Sequence, residues 1–224
     1  MTAGLFPRAR AEVAPGAVHV PGWLSAARQR ELVEACRDWA QGPVPFRHTR
    51  LPRGGVMSVR TVCLGWHWQP YRYTRTADDV NGAPVAELPG WLVVLGREAL
   101  ADAYGEQAPA GAPTGEPYTP DTALINFYDG DARMGMHQDK DERSGAPVVS
   151  LSIGDTCLFR FGNTDNRGKP YTDVELASGD LFVFGGASRF AYHGVPKVHP
   201  GTADPALGLT GRLNITLRET GLDG

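Results

Sequence analysis

The chain has 224 residues, of which 42% are hydrophobic and 21% are charged, and its formal net charge is -3. An acidic balance excludes a broad electrostatic binder of nucleic acid or membranes, which would be basic, and no apolar run reaches the roughly 18 residues that span a membrane. Three cysteines without metal-type spacing indicate reduced thiols rather than a disulfide scaffold, so we expect a cytoplasmic protein, and the predominance of Arg over Lys favours a bacterial source.

Two helices are predicted in the first half of the chain. The first spans residues 25–41, with Ser25 as a suitable N-cap and apolar residues at helical spacing. The second spans residues 89–104, although Gly96 inside it lowers the helical propensity. The segment Gln107–Pro120, rich in Ala, Pro and Gly, is interpreted as a loop between the two halves of the chain.

Residues 39–77 contain no Asp or Glu. This stretch carries a charge of +6, whereas the rest of the chain, with 16 basic against 25 acidic residues, carries -9. Arginines with interleaved aromatic rings are typical of a surface that grips phosphates and stacks on bases. A solvated loop region that happens to lack acids explains the charge equally well. The residues concerned are Arg47, Arg50, Arg53, Arg60, Arg72 and Arg75, with Phe46, Trp66, Trp68, Tyr71 and Tyr73.

After Asp121 the pattern changes to short apolar segments separated by Gly, Asp, Asn and Pro turns. Eight strand-like segments at this spacing are typical of a β-sandwich or jelly roll. We therefore predict an α+β, mainly β fold, in which residues 1–120 pack on a β-core of residues 121–224 as one domain overall. The segments are ALINFY, GMHQD, PVVSLSI, TCLFRF, VELAS, DLFVF, RFAYHGV and RLNITLRE.

His137 and Asp139 form an HxD motif. Residues i and i+2 of a strand point to the same side, so the imidazole and the carboxylate can face one point. His193, on an apolar segment, is the best candidate for a third ligand, because two histidines and one carboxylate leave open positions that suit Fe(II) and oxygen chemistry. Alone, an HxD motif is weak evidence, since a hydrogen-bonded His–Asp pair and a structural core histidine are commoner explanations.

Two further motifs offer groups that can bind a dicarboxylate. The segment Arg212–Arg218, RLNITLR, alternates strictly, so two arginines share one strand face, where burial is costly without an anionic partner. A guanidinium matches a carboxylate in a bidentate way. Asn126 and Tyr128 also share a face and can donate hydrogen bonds. The alternatives are an edge strand with its polar face in water and, for Asn126 and Tyr128, ordinary polar residues before a turn.

The order of these motifs, NxY, HxD, a lone His and RxNxTxR, is that of the Fe(II)/2-oxoglutarate-dependent dioxygenases. Within them the chain closely resembles the AlkB family, which repairs alkylated nucleic acids. The resemblance implies a double-stranded β-helix (jelly-roll) core with N-terminal helices and a nucleotide-recognition lid, and Fe(II), 2-oxoglutarate and O2 as cofactors. It covers about Met57–Glu219 and is carried by MSVRTVCLGWHWQPYRY, LINFYDGDARMGMHQDKDE, APVVSLSIG, LFRFGN, SGDLFVFGGASRFAYHGV and RLNITLRET.

The resemblance implies roles for the metal and cosubstrate residues. By it, His137, Asp139 and His193 hold the iron. Arg212 would lie near the 2-oxoglutarate carboxylate close to the metal, and Arg218 would form the salt bridge to the distal carboxylate. The other positions that match or adjoin the cosubstrate pocket are Leu124, Asn126, Tyr128, Ser150, Asn214 and Thr216.

The substrate residues follow from the same resemblance. Trp66 matches the aromatic residue that stacks on the flipped base, opposite the ring of His137, and Tyr73 matches a lid tyrosine that contacts the DNA backbone. Asp141 matches the acidic residue that reads the exocyclic amino group, and its charge suits a cationic methylated base. The loop FGNTDNRGKPY departs from the family pattern, and Arg167 is the nearest match to an arginine that reaches the base.

The implied function is oxidative demethylation of N-alkylated bases of the 1-methyladenine or 3-methylcytosine type, in single- or double-stranded DNA or in RNA, by a monomer. The reaction would convert 2-oxoglutarate to succinate and release formaldehyde. An alternative keeps the cofactors but takes a protein or small-molecule substrate, and the Arg-rich stretch, Trp66 and Asp141 count against it. A non-catalytic jelly-roll module that binds metal or nucleic acid is a third hypothesis, which the intact HxD and both arginines oppose.

Overall fold

A computed structural model describes residues 8–105 and 117–222 of the chain. Most of the predicted loop Gln107–Pro120 therefore lies outside the described residues. Over the described ranges no helix combines the length and the apolar character needed to cross a membrane. The helices are α1 (Ala26–Ala40) and α2 (Gly90–Tyr104); the strands are β1 (Ala11–Ala14), β2 (Ala17–Val20), β3 (Arg47–Arg50), β4 (Val56–Leu64), β5 (His67–Gln69), β6 (Arg72–Thr74), β7 (Thr122–Tyr128), β8 (Met134–His137), β9 (Val148–Gly154), β10 (Cys157–Phe161), β11 (Thr172–Leu176), β12 (Leu181–Phe184), β13 (His193–Val198) and β14 (Arg212–Arg218).

The strands form two facing sheets and a separate hairpin. The larger sheet has the order β1-β2-β12-β9-β14-β7-β4-β3, the smaller has the order β11-β10-β13-β8, and β5 pairs with β6. Each of the eight segments predicted after Asp121 contains a strand, and Phe161, Phe182 and Phe184 pack in the core between the sheets. The predicted mainly β jelly roll is confirmed. The division at residue 120 stays a prediction; β1 to β4 pair into the larger sheet.

Both predicted helices are confirmed to within one residue at each end. The Ser25 hydroxyl caps α1 by accepting a hydrogen bond from the amide of Arg28 at 3.2 Å. Gly96 lies where α2 meets the sheet, since a Cβ there would approach Leu217 Cδ1 to 2.8 Å. The glycine that weakens the helix in isolation therefore permits its close packing on β14.

Strand β14 separates the apolar core from the polar cavity. It lies inside the larger sheet, between β9 and β7, so the alternative of an edge strand is wrong. Leu213, Ile215 and Leu217 are buried in the apolar cluster that includes residues of both helices, and each such burial contributes about 2 kcal/mol. The alternate residues point into the space between the two main sheets.

A buried carboxylate, Asp180, ties the N-terminal segment to the turn before β12. It accepts hydrogen bonds from Arg8 Nη2 at 2.7 Å, from His19 Nε2 at 2.9 Å, and from the amides of Gly22 and Ala177 at 2.9 and 3.0 Å. Burial alone would raise the pKa of Asp180, but these donors lower it from 3.8 to about 2.

Asp180→Asn is expected to lower the free energy of unfolding at pH 7 by about 2 kcal/mol, because each pKa unit is worth about 1.4 kcal/mol. Because the carboxyl of Asp180 has a lower pKa in the folded protein than in the unfolded chain, it stabilises the fold at pH values above its unfolded pKa of about 4. This stabilisation is lost as the pH falls toward 2. Urea unfolding of both proteins between pH 7 and pH 2.5 measures the difference, which should shrink with acid. Asp173→Asn is the control, since Asp173 is largely exposed and pairs only with Arg160 among the described residues; an equal loss in both variants would contradict the prediction.

Candidate active site

A cavity of about 490 Å³ lies between the two main sheets, next to the β5–β6 hairpin. All residues that the sequence assigns to the site line this cavity, except Trp66 and Tyr73. Its inner wall is the polar face of β14 with β7 and β9, and its outer wall includes β8 and β13. The folding of distant motifs onto one cavity makes a joint chemical role of these residues geometrically feasible.

The candidate metal ligands are His137, Asp139 and His193. The two histidines are cross-strand partners, at the end of β8 and the start of β13. His137 Nε2 lies 3.5 Å from Asp139 Oδ1, and His193 Nε2 lies 3.5 Å from Asp139 Oδ2. One ligand atom from each residue falls within 4.8 Å of the others. Asp139 lies just beyond β8 rather than on it, so the strand alternation that predicted its direction does not apply there.

Hydrogen bonds fix the orientation of both imidazole rings. His137 Nδ1 lies 2.9 Å from the carbonyl oxygen of Gly135, and His193 Nδ1 lies 3.0 Å from that of Ala191. A carbonyl can only accept, so each Nδ1 donates to it, and each Nε2 faces Asp139 as the atom available to a metal. This is the arrangement in which outer hydrogen bonds orient histidine ligands of a metal.

The charge state of the cluster also suits a divalent cation. Burial alone would raise the pKa of Asp139, but the guanidinium of Arg218 and the two histidines hold it well below its usual value. Burial lowers the pKa of His193, which favours the neutral imidazole that metals bind. An ionised carboxylate and two imidazoles on one face, which leave coordination positions open, fit Fe(II).

The two arginines of β14 lie at opposite ends of the cavity, in the reverse of the predicted order. Arg218 Nη2 is 2.7 Å from Asp139 Oδ2, so Arg218, not Arg212, is the arginine beside the metal ligands. Arg212 donates to the Ser152 hydroxyl at 2.9 Å and pairs in register with Tyr128. The motif shows only that the arginines share a face, and the orientation of β14 against β8 and β13 decides which end meets the ligands.

Unpartnered donors on both arginines provide the test of fit for a dicarboxylate. Arg212 is 1% exposed, and its Nε and Nη1 atoms have no hydrogen-bond partner among the described residues; the same holds for Arg218 Nε. A buried guanidinium with free donors is costly unless an anion binds it. Burial raises the pKa of Tyr128 although Arg212 opposes this, so the phenol beside Arg212 stays protonated and can donate. The chain thus fits 2-oxoglutarate.

Polar side chains between the arginines form a connected network. Asn214 Nδ2 donates to the Ser150 hydroxyl at 2.8 Å, and the Thr216 hydroxyl donates to Asn214 Oδ1 at 3.0 Å. Asn126 Oδ1 accepts from the Thr61 hydroxyl at 2.9 Å. These bonds fix the side-chain orientations along the cavity wall, which Leu124 also lines.

The prediction for Trp66 is corrected by the structure. Its ring is covered by the guanidinium of Arg75, 3.6 Å from the ring centroid, and its Nε1 donates to Asp121 Oδ2 at 3.2 Å. The chain turns at Gly65, where φ is +75° and a Cβ would meet the carbonyl oxygen of Asp121 at 1.9 Å. This turn directs Trp66 away from the cavity, and Trp68, two residues later on β5, lines the cavity instead.

The prediction for Tyr73 is corrected in a similar way. Tyr73 is 8% exposed, and its hydroxyl donates to Glu142 Oε1 and accepts from Arg218 Nη1. The tyrosine at the tip of the β5–β6 hairpin is Tyr71, which is 74% exposed and lines the cavity mouth. Its φ of +73° is strained for a side chain of this size, as functional positions often are.

Asp141 and Arg167 both line the cavity, as the sequence predicts for substrate residues. Asp141 Oδ2 accepts a hydrogen bond from Trp68 Nε1 at 2.8 Å, which joins the carboxylate to the indole. The Arg167 guanidinium lies 6.0 Å from the ring centroid of Tyr192. A negative group and an aromatic ring therefore occur together on the wall opposite β14.

The acid-free stretch is less free than its composition indicates. Four of its six arginines contact other described residues; Arg47 Nη2, for example, donates to the carbonyl oxygen of Trp68 at 2.6 Å. Arg50 and Arg53 are exposed, and within the described chain their side chains form no hydrogen bond or ion pair. Within the described part of this stretch, the arginines without a partner therefore lie on the β3–β4 hairpin. The four arginines with partners are Arg47, Arg60, Arg72 and Arg75.

Sequence reasoning placed Trp68 and Tyr71 in the aromatic set of the acid-free stretch without giving them a role in the site, and it missed Glu142 and Arg189 as supporting residues. Glu142 ends the HQDKDE segment, and its acidic charge next to two assigned acids was the available signal. Arg189 is almost completely buried and holds the carbonyl oxygens of Asp139 and Ala146 at 2.7 Å each. No local pattern distinguishes such an arginine from a solvated one.

Comparisons with known proteins agree on one family. A profile described as the 2OG-Fe(II) oxygenase superfamily matches residues 16–218. The "Alpha-ketoglutarate-dependent dioxygenase AlkB homolog" of Caulobacter vibrioides is 38% identical over 213 residues, covering 92% of this chain and 88% of that protein. The "DNA N(6)-methyladenine demethylase ALKBH1D" of Arabidopsis thaliana is 33% identical over 225 residues, covering 92% of this chain. The chain spans about half the length of that plant relative.

A solved structure extends the similarity to the fold. "The structure of OsALKBH1" superposes with a TM-score of 0.83 at 31% identity, covering 94% of this chain and 99% of that one. The matched region contains all three candidate metal ligands and both arginines of β14. The matched range therefore covers the chain segments that line the cavity as well as those of the surrounding sheets.

Proposed function

The chain belongs to the 2OG-Fe(II) oxygenase superfamily and, within it, to the AlkB family, and from this premise we propose that it removes alkyl groups from the nitrogen atoms of nucleic-acid bases by oxidative demethylation. The observation that carries the proposal is one cavity that contains His137, Asp139 and His193, with the two arginines of β14 on one side and Trp68 with Asp141 on the other. A dioxygenase that acted only on small dicarboxylates would not need the aromatic and acidic side chains of Trp68 and Asp141.

The chemistry and the binding groups divide between cofactor and chain. With Fe(II), 2-oxoglutarate and O2 bound, the cosubstrate is oxidised to succinate and CO2 and the N-alkyl carbon is hydroxylated. His137, Asp139 and His193 would hold the metal, while Arg218 would bind the cosubstrate carboxylate nearer to it and Arg212, with Tyr128, the distal one. The hydroxylated methyl group then leaves as formaldehyde, and the chain needs to supply no nucleophile.

Recognition of the base is assigned to the opposite wall. The target must be flipped out or single-stranded, because the cavity lies between two sheets and cannot admit a duplex. We place the base between Trp68 and the ring of His137, with Asp141 selecting a cationic methylated base such as 1-methyladenine or 3-methylcytosine. Tyr71, Arg50 and Arg53 would contact the backbone around it, and Arg167 would reach the base from the β10–β11 loop.

Turnover of defined oligonucleotides tests the proposed function. The purified protein is incubated with Fe(II), 2-oxoglutarate and single-stranded DNA or RNA carrying 1-methyladenine, 3-methylcytosine or N6-methyladenine, and succinate, formaldehyde and loss of the methyl group are measured. We expect succinate, formaldehyde and demethylated base in equal amounts. We also expect the cationic bases, 1-methyladenine and 3-methylcytosine, to be preferred over N6-methyladenine. Absence of methyl loss from every oligonucleotide, with normal metal and 2-oxoglutarate binding, would favour a protein or small-molecule substrate. The cytoplasmic location and the monomeric state stay predictions.

The two neighbouring tryptophans provide a matched test of the base site. Trp68→Ala is expected to weaken binding of a methylated single strand roughly tenfold or more, since base stacking on an aromatic ring is worth about 1–3 kcal/mol. Trp66→Ala removes the same side chain two residues away and should leave this affinity within about twofold. Fluorescence anisotropy with Mn(II) in place of Fe(II) measures both without turnover. The opposite ranking would restore Trp66 as the stacking residue.

A further inference from the structure

A buried set of side chains, Tyr73, Glu142 and Arg189, lies behind Arg218 and outside the cavity lining. We propose that Tyr73 and Glu142 are positioning residues that hold Arg218 for the 2-oxoglutarate carboxylate nearest the metal. The proposal rests on the cosubstrate part of the proposed function and extends it to residues that do not touch the cosubstrate. It also assigns Tyr73, a residue of the hairpin over the cavity, to cosubstrate binding rather than to nucleic acid.

The donors of Arg218 are divided between two edges of its guanidinium. Nη1 donates to Glu142 Oε1 at 2.8 Å and to the Tyr73 hydroxyl at 3.2 Å, whereas Nη2 forms an ion pair with Asp139 Oδ2 at 2.7 Å. Of the five N–H groups of a guanidinium, the two on Nη1 are therefore used, and Nε has no hydrogen-bond partner among the described residues. Nε and Nη2 lie along one edge of the guanidinium, and such an edge can bind a carboxylate in a bidentate way. Tyr73 and Glu142 thus hold the rear edge so that the free edge is presented.

Glu142 connects this arginine to the support of the metal ligands. Its Oε2 accepts from Arg189 Nη2 at 3.1 Å, and Arg189 Nη1 in turn donates to the carbonyl oxygen of Asp139 at 2.7 Å. The side chain of Glu142 is fully buried and pairs with the guanidiniums of Arg189 and Arg218. Arg218 also pairs with the carboxylate of Asp139. Removing one member of so tightly paired a buried set leaves an uncompensated charge, so the position of Arg218 depends on Glu142.

The β5–β6 hairpin contributes a cross-strand pair to this support. Trp68 and Tyr73 are register partners on the two strands. Their side chains donate hydrogen bonds to two consecutive residues, Trp68 to Asp141 and Tyr73 to Glu142. Side chains directly opposite each other on an antiparallel pair lie on one face. The base-side contact and the cosubstrate-side contact therefore depend on the same two short strands.

The test measures cosubstrate affinity without turnover. Mn(II)-loaded protein without nucleic acid is titrated with 2-oxoglutarate by calorimetry. Tyr73→Phe, which removes only the hydroxyl, is expected to raise the Kd about fivefold, and Glu142→Gln about thirtyfold or more, as losses of hydrogen bonds to a charged group. Tyr118→Phe is the matched control, because that hydroxyl is equally buried and donates to the carbonyl oxygen of Leu217, next to Arg218, without touching its guanidinium. It should leave the Kd within about twofold.

The outcomes separate the proposal from the function on which it rests. A merely structural role for Tyr73 would lower the melting temperature and the folded fraction without changing the Kd of the folded protein. Unchanged Kd values in Tyr73→Phe and Glu142→Gln, or an equal rise in Tyr118→Phe, overturn the positioning role while wild-type binding leaves the proposed function intact. Failure of the wild type to bind 2-oxoglutarate overturns both. If Glu142→Gln does not fold, Tyr73→Phe decides; a change in its oligonucleotide affinity alone would return Tyr73 to the nucleic-acid site.

Discussion

His137→Ala is expected to abolish demethylation and to weaken metal binding more than about a hundredfold while the protein stays folded. Changes to residues that only orient metal ligands cost about ten- to a hundredfold, and in the proposed site His137 supplies a ligand atom itself. Its side chain is about one-third exposed at the end of β8, so its loss removes little packing. His193, by contrast, is buried among Phe159, Phe161 and Phe184, where truncation would also damage the core.

The measurement is a metal titration with Mn(II) followed by calorimetry, together with succinate formation in the presence of Fe(II). His199→Ala is the control, because His199 is also partly buried but lies outside the cavity lining. Thermal melts of both variants without metal should agree with the wild type. Metal affinity in His137→Ala equal to that in His199→Ala would remove His137 from the ligand set and, with it, the proposed site.

Arg212→Met is expected to weaken 2-oxoglutarate binding at least about a hundredfold and yet to stabilise the protein in its absence. The Arg212 guanidinium is buried with two nitrogen atoms that have no partner among the described residues. Replacing a buried charged group by an apolar side chain of similar volume is often stabilising by about 1–4 kcal/mol. For a chain of this size, 1 kcal/mol corresponds to about 2–4 °C in melting temperature.

Melting curves with Mn(II), in the presence and absence of 2-oxoglutarate, test both parts of this prediction. The wild type should gain stability with 2-oxoglutarate, because a ligand that binds only the folded state adds to its free energy of unfolding. The variant should melt higher than the wild type without the cosubstrate and should not respond to it. A variant that melts lower and still responds would show that Arg212 serves the fold rather than the cosubstrate.

The contrast between the motifs of β14 and of the hairpin shows where local patterns succeed. Strict alternation from Arg212 to Arg218 predicted a polar face and an apolar face, and both exist because side chains of a strand necessarily alternate. Trp66, by contrast, was assigned from the family resemblance and not from alternation, and it precedes β5 and follows a glycine turn. The direction of a side chain at a turn depends on backbone angles that neighbouring residue types do not determine.

The two halves of the cavity therefore differ in how far they could be predicted. The helices and the eight strands after Asp121 were accessible from periodicity, which depends on repeat distances along the chain. The candidate metal and cosubstrate residues were accessible from short motifs whose order resembles that of the AlkB family. These patterns did not predict which end of β14 meets Asp139 or what the partners of Glu142 are. They also did not predict that Trp68 and Tyr71, rather than Trp66 and Tyr73, line the cavity. Those features depend on how two sheets and a hairpin pack across long sequence separations, where contacts between distant charges and rings, rather than neighbours in the chain, set each orientation.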